Sequence, residues 1–204
     1  MNCHEQFLSE VYTCKRCPSE YDFTSATDME PYFKFPPTIG ALGHADLLFV
    51  GINPRISRNN LRLHKEIMAD KTAFADLAEN RDGHEPYIVK GGREKHYHHH
   101  VEIVESLYGD GAKFEDHAAV TELFFCATEN AANLPINIYP CADLYFDRVF
   151  RKVKPRIVVC VWKTVFEYFR RRFHMNTNES FLITIEEHSS MVVFLPHPNS
   201  QWRR

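Results

Sequence analysis

The stretch Ala45-Asp46-Leu47-Leu48-Phe49-Val50-Gly51-Ile52-Asn53-Pro54-Arg55 constrains this chain more than any other. Its first part is a short apolar run of branched and aromatic residues, the pattern of a strand buried on both faces. The run stops abruptly at Gly51 and Pro54. Glycine permits backbone angles that other residues avoid, and Pro54 biases Asn53 toward extended or turn geometry. A polar residue on such a turn, at the carboxyl end of a buried strand, is where open α/β sheets hold their ligands. An ordinary strand-to-loop turn has the same pattern, so the neighbouring segments carry the decision.

Further strands are predicted at 120–126, with Glu122 anomalous inside the run, at 156–161 after the Lys154-Pro155 break, at 181–185 more weakly, and at 191–195. Helical spacing is found over 5–13, over 93–108 with Gly109 as its C-cap, from Cys141 through Leu144, Tyr145, Val149 and Phe150, and over 164–173. The last of these ends in Arg170-Arg171-Arg172, cations suited to a helix C-terminus. Leu61, Leu63, Ile67 and Met68 suggest a short helix, and 18–44, with four of the prolines, reads as a long ordered loop. Strands alternating with helices predict an α/β fold, a three-layer α/β/α sandwich with a mainly parallel central sheet of about four strands. At 204 residues the chain is read as a single domain spanning 1–204.

No apolar run reaches the length of a membrane span, and the start Met1-Asn2-Cys3-His4-Glu5 lacks the basic-then-apolar pattern of a secretory signal. A cytoplasmic protein without membrane association is therefore expected. In that compartment paired cysteines are more often metal ligands than disulfides. Cys14-Lys15-Arg16-Cys17 places two thiolates within reach of one centre, and taken alone it fits zinc, an iron–sulfur cluster, a redox dithiol or coincidence. Cys160 lies inside an apolar run and Cys3 near the terminus, and neither is assigned a role. The net charge of -3 does not advertise nucleic-acid binding, yet arginines cluster at Arg55, Arg58 and Arg62, at Arg170 to Arg172 and at Arg203-Arg204. His96, His98, His99 and His100 point around their helix and do not converge, so a solvated or phosphate-facing surface is expected there in preference to a metal site.

Together these pieces resemble the uracil-DNA glycosylase superfamily over nearly the whole chain. The helix leading into Cys14-Lys15-Arg16-Cys17-Pro18 resembles the amino-terminal signature of the iron–sulfur branch. Gly51-Ile52-Asn53-Pro54 resembles the first catalytic motif in its mismatch-specific and single-strand-selective form, and His197-Pro198-Asn199-Ser200 the second motif. Lys154-Pro155-Arg156-Ile157-Val158-Val159 is similar to the Pro-led strand before the last helix. Cys126 and Cys141 are spaced much as the second ligand pair of the iron–sulfur branch. The resemblance thus implies a 4Fe-4S cluster on Cys14, Cys17, Cys126 and Cys141, stapling the amino-terminal helix to the loop after the second strand. Four thiolates fit structural zinc as well.

The activity implied is that of a monofunctional DNA glycosylase, a hydrolase that leaves an abasic site, acting as a monomer on DNA. Hydrolysis of an N-glycosidic bond requires base flipping, stabilisation of charge on sugar and base, and a water on the far face of the sugar. By resemblance Asn53 holds that water and His197 donates to O2 of the departing pyrimidine, while Gly51 and Ile52 line the pocket. In the iron–sulfur branch an Asn reads the edge of uracil where Glu122 stands here. A carboxylate is a poor partner for O4 of uracil and a good acceptor for the N4 amino group of cytosine. Alternatively Glu122 pairs with a nearby Arg or Lys and reads nothing. Arg55 stands where the family carries Tyr or Gly, and it offers donors toward hydroxyls or a phosphate beyond C5.

These two departures make a modified cytosine the favoured target, as in the family's phage-defence members, with uracil removal in DNA repair as the alternative. Tyr87, in a stretch similar to the branch's Pro-Phe segment, is the expected stacking aromatic, with Tyr97 as alternate. Ser200, Gln201, Trp202 and Arg203 are expected on the DNA, Trp202 as wedge. A non-catalytic or covalent binder of damaged DNA on the same scaffold is a separate reading, and a zinc-stapled module without a nucleic-acid role is another.

Overall fold

The computed structural model describes residues 3–14, 16, 39–40, 45–52, 95–126 and 141–196. Among them a six-stranded sheet runs in the order β1-β3-β2-β4-β6-β5. The strands are β1 (Ile39–Gly40), β2 (Leu47–Gly51), β3 (Ala118–Glu122), β4 (Ile157–Cys160), β5 (Phe181–Ile185) and β6 (His188–Phe194). β3, β2, β4 and β6 are mutually parallel, and an antiparallel strand closes each edge. The helices are α1 (Cys3–Thr13), α2 (Lys95–Tyr108), α3 (Phe114–His117), α4 (Cys141–Val153) and α5 (Lys163–Arg172). The fold class is α/β with a mostly parallel sheet, as the alternation of apolar patterns predicts, but the sheet has six strands and not about four, because antiparallel β1 and β5 extend it at the edges.

β2 lies at the centre because every position in it is apolar or Gly. Leu47, Leu48, Phe49 and Val50 are all at most 1% exposed, and both neighbours pair with them in parallel. Full burial of such side chains contributes roughly 1.5–3 kcal/mol each. α4 packs against α5 through Phe146 on Phe169, ring centroids 4.8 Å apart and edge-on, and through Tyr168 Oη donating to Asp143 at 2.8 Å. α1 docks on α4 through Phe7 against Tyr145, with Arg148 lying 4.3 Å over the Phe7 ring and pairing with Glu10 at 2.5 Å. Gly109 ends α2 with φ +104° and its N–H on Glu105 O, the predicted cap. Lys154 ends α4 in the left-handed region at φ 50°, immediately before the predicted break at Pro155.

Four features differ from the sequence pattern. β3 begins at Ala118, two residues earlier than predicted, so Glu122 is its last residue and not an interruption within it. β5 pairs antiparallel with β6 through a two-residue turn in which Glu186 takes φ 55°. Ile39–Gly40, inside the predicted loop, form a short edge strand on β3. His100 is not surface-facing. It is 1% exposed and stacked on Phe49, centroids 4.2 Å apart. The short helix expected around Leu61 to Met68 lies outside the described residues. Among the described residues no helix is long and apolar enough to cross a membrane.

Candidate functional site

Because β3, β2, β4 and β6 are parallel, their carboxyl ends share one edge of the sheet, and Gly51, Glu122, Cys160 and Phe194 end them. Gly51 is in register with Glu122 across the β2–β3 pair. Beyond that pair the backbone ladder continues, Leu123 N–H donating to Gly51 O at 3.0 Å and Phe124 N–H to Ile52 O at 2.9 Å. The two turns are therefore fixed to each other by main-chain bonds, whatever the side chains do.

The absent side chain of Gly51 is the space that the Glu122 carboxyl fills. A Cβ at position 51 would overlap Glu122 Oε2, lie 2.6 Å from Cδ and 2.8 Å from Oε1. Glycine is required here by close approach and not by its backbone angles. Glu122 is 9% exposed, and its Oε2 has no hydrogen-bond partner among the described residues. Burial alone pushes its carboxyl up to about 8. Removing a charge from water without a compensating partner is costly, and the group takes up a proton instead. At neutral pH this is a buried carboxylic acid with one O–H donor and acceptor capacity beside it. Ile52 is 7% exposed and continues the wall behind Gly51.

On the neighbouring strands, Val161 N–H reaches Val50 O at 3.4 Å and Leu195 N–H reaches Cys160 O at 3.1 Å. Cys160 is fully buried at the end of β4, and burial pushes its thiol well up, which suits a packed core residue. Asn53 follows Ile52, and His197 follows Pro196. Both lie outside the described residues, as do Arg55, Tyr87, Ser200, Gln201, Trp202 and Arg203, and so does the side chain of Tyr97. Of the predicted pocket residues, the structure brings together Gly51, Ile52 and Glu122.

Two of the four predicted cysteine ligands, Cys14 and Cys141, interact with Tyr145, a residue with no predicted role at the cysteines. Cys14, one residue past α1, shares a hydrogen bond with the Tyr145 hydroxyl, and Cys141 on the first turn of α4 also faces it. Burial first, and then the Cys14 thiol, hold the Tyr145 phenol well above its ordinary range. Cys126 is buried after β3. Cys14, Cys126, Cys141 and Cys160 are in no disulfide. Among the described residues no three potential ligands approach closely enough to hold an ion, and Cys17 lies outside them. A set of undisulfided thiols from separate segments matches what soft metals and iron–sulfur clusters take. The signal that finds Tyr145 is its spacing, four residues after Cys141 on the same helix face.

The arginine run on α5 is largely committed inside the fold. Arg172 donates to Asp147 at 2.7 Å and to Tyr168 Oη at 3.0 Å, and its guanidinium sits 5.5 Å from the Phe173 ring. Arg170 pairs with Glu167 at 3.1 Å. Arg171 alone of the three is exposed. Comparison with protein-family models and with curated proteins finds no match to this chain.

Proposed function

We propose that the chain is a DNA glycosylase that draws a pyrimidine nucleotide out of DNA and hydrolyses its N-glycosidic bond. The observation that carries this reading is the buried acid of Glu122 seated against Gly51 at the carboxyl edge of a parallel sheet. That is the place where α/β sheets bind ligands, and a buried polar atom such as Glu122 Oε2, without a partner among the described residues, has a use once a base edge arrives. Gly51-Ile52 leads into Asn53, and Leu195-Pro196 leads into His197. The carboxyl ends of β2 and β6 stand two strand spacings apart, about 10 Å. That span suits one nucleotide addressed from both sides.

In this reading Asn53 holds the attacking water and His197 donates to O2 of the departing base, so that negative charge on the leaving group meets a fixed donor. Arg55 addresses the 5-substituent and Tyr87 stacks on the base, while Ser200, Gln201, Trp202 and Arg203 contact the DNA. The favoured target is a modified cytosine, because an acid at position 122 offers an acceptor to the N4 amino group. Removal of ordinary cytosine would damage the host genome, and a foreign modified base avoids that. Uracil is the second reading, since the protonated acid also has a donor for O4.

A 4Fe-4S cluster on Cys14, Cys17, Cys126 and Cys141, with zinc as the alternative, belongs to the same proposal. Its support is the approach of Cys14, after α1, and Cys141, on α4, to the same Tyr145 hydroxyl. When bound, the group staples α1 to α4 and contributes no step to hydrolysis. The three-layer arrangement is also part of it: right-handed crossovers from β2 to β3 and from β4 to β6 run in opposite directions, which assigns α2 to one face and α5 to the other.

The test is a set of oligonucleotides bearing one uracil, cytosine or 5-substituted cytosine, treated with protein and then alkali. Strand breakage at 5-substituted cytosine is expected. Breakage at uracil alone rejects the target, a stable protein–DNA adduct replaces hydrolysis with covalent capture, and no breakage on any substrate rejects the activity.

A further inference from the structure

We propose that Glu122 meets the extruded base as an uncharged acid, its hydroxyl donating to ring N3 while its carbonyl oxygen accepts from the exocyclic amino group of a cytosine-type base. This rests on the pyrimidine reading above and specifies how that site recognises its ligand.

The geometry comes first. The carboxyl is wedged into the space left by Gly51, and main-chain bonds on either side fix the two turns together. The group has little freedom to swing toward solvent. The residues that β2 sets beside it, Gly51 and Ile52, do not titrate, and among the described residues neither a cation nor a donor meets Oε2. With no cation at Oε2 among the described residues, the acid form avoids a buried charge there. The raised proton affinity, caused by burial alone, agrees with that.

The chemistry of the base edge then selects the acid form. Cytosine presents an N4–H donor beside the N3 lone pair. A carboxylate has acceptors only, so it meets the amino group but sets a second negative oxygen against N3. The neutral acid has one donor and one acceptor side by side and satisfies both. Uracil presents N3–H beside O4, and the same acid serves it with the proton on its other oxygen. Glu122 therefore serves amino pyrimidines without rejecting oxo pyrimidines. The C5 side of the ring is left free for a substituent.

The experiment measures affinity of the full chain for duplexes carrying one 2′-fluoro-stabilised 5-hydroxymethylcytosine, corrected at each pH for a matched unmodified duplex. Between pH 6.5 and 9 the base-specific affinity of the wild type should fall by about tenfold or more, the loss that accompanies an unpaired polar edge. Glu122→Gln carries the same donor–acceptor pair without a titrating proton, so it should bind within about threefold of the wild type at pH 6.5 and stay flat with pH. Glu122→Ala should be weak throughout. In the free protein, the ¹³C carboxyl resonance assigned by its absence in Glu122→Gln should titrate near 8. A midpoint near 4.5, or Glu122→Gln as weak as Glu122→Ala, overturns the proposal. Base-specific binding that stays flat with pH in the wild type overturns it alone and leaves the glycosylase reading standing. No base-specific binding at any pH overturns both.

Discussion

Gly51 and Glu122 are one unit split between two strands. Gly51→Ala forces the carboxyl out of its place, because the new methyl and Glu122 Oε2 claim the same volume. Overpacking of this kind costs about 1–3 kcal/mol. In a Glu122→Ala background the clash is gone, so the same substitution should cost less than about 1 kcal/mol, and a double-mutant cycle by chemical denaturation reads the difference as coupling. The pH dependence of stability follows from the same carboxyl. In the unfolded chain it ionises near 4.5, and in the fold it keeps its proton to about 8. The native state therefore binds the extra proton between those values, and stability is full below 4.5, falls as pH rises to about 8 and is level above. Relative to Glu122→Gln, the wild type should lose stability across that window by an amount on the order of a few kcal/mol, seen as a widening gap between their melting temperatures. The sequence exposes Glu122 as an oddity in an apolar run but is silent on Gly51 as its neighbour, because strand register is a tertiary property.

At the scale of elements, the pattern of one helix or strand was legible wherever a single physical rule decided it, and obscured where two competed. His100 shows the competition. A row of histidines reads as polar, yet His100 stands four residues before Val104, and helix periodicity puts it on the buried face against Phe49. The α5 arginines show it again, since the charge run suits a helix C-terminus or a phosphate, and packing takes two of the three. Arg172→Ala removes the Asp147 and Tyr168 hydrogen bonds and a guanidinium lying near aromatic rings, so it should destabilise by about 1–3 kcal/mol. Arg171→Ala, at an exposed position, should stay within about 0.5 kcal/mol, and thermal melts of the pair check both. For α1 and α4, the cofactor proposal separates the cysteines. Cys141→Ala should remove absorbance near 400 nm, in the range such clusters show, together with bound iron, while Cys160→Ala, deep in β4, should leave both unchanged. A colourless wild type containing zinc would favour the alternative metal.

For the whole molecule, the interior of the sheet was readable because strands buried on both faces are written as unbroken apolar runs, as in β2 and β4. Its edges were less so. β5 and β6 alternate buried and exposed positions, a pattern common to parallel and antiparallel pairing, and two-residue β1 has no pattern at all. What the topology adds is convergence. β2 and β6 are far apart in sequence, yet both pair with β4 in parallel, so their carboxyl ends lie at the same end of the sheet. This makes a specific demand on Asn53 and His197. If both serve a single bond-breaking event, each acts mainly on the transition state, and removing either should leave the bound nucleotide in place. Asn53→Ala and His197→Ala should each lower single-turnover cleavage of a 5-substituted cytosine by about 100-fold or more, the usual loss for a positioned donor or acceptor, with DNA affinity within about threefold of the wild type. Melting temperatures should not move if their part is confined to the reaction. Parallel losses of cleavage, affinity and melting temperature would instead make these turns structural, and the shared edge of the sheet would then have to serve another ligand.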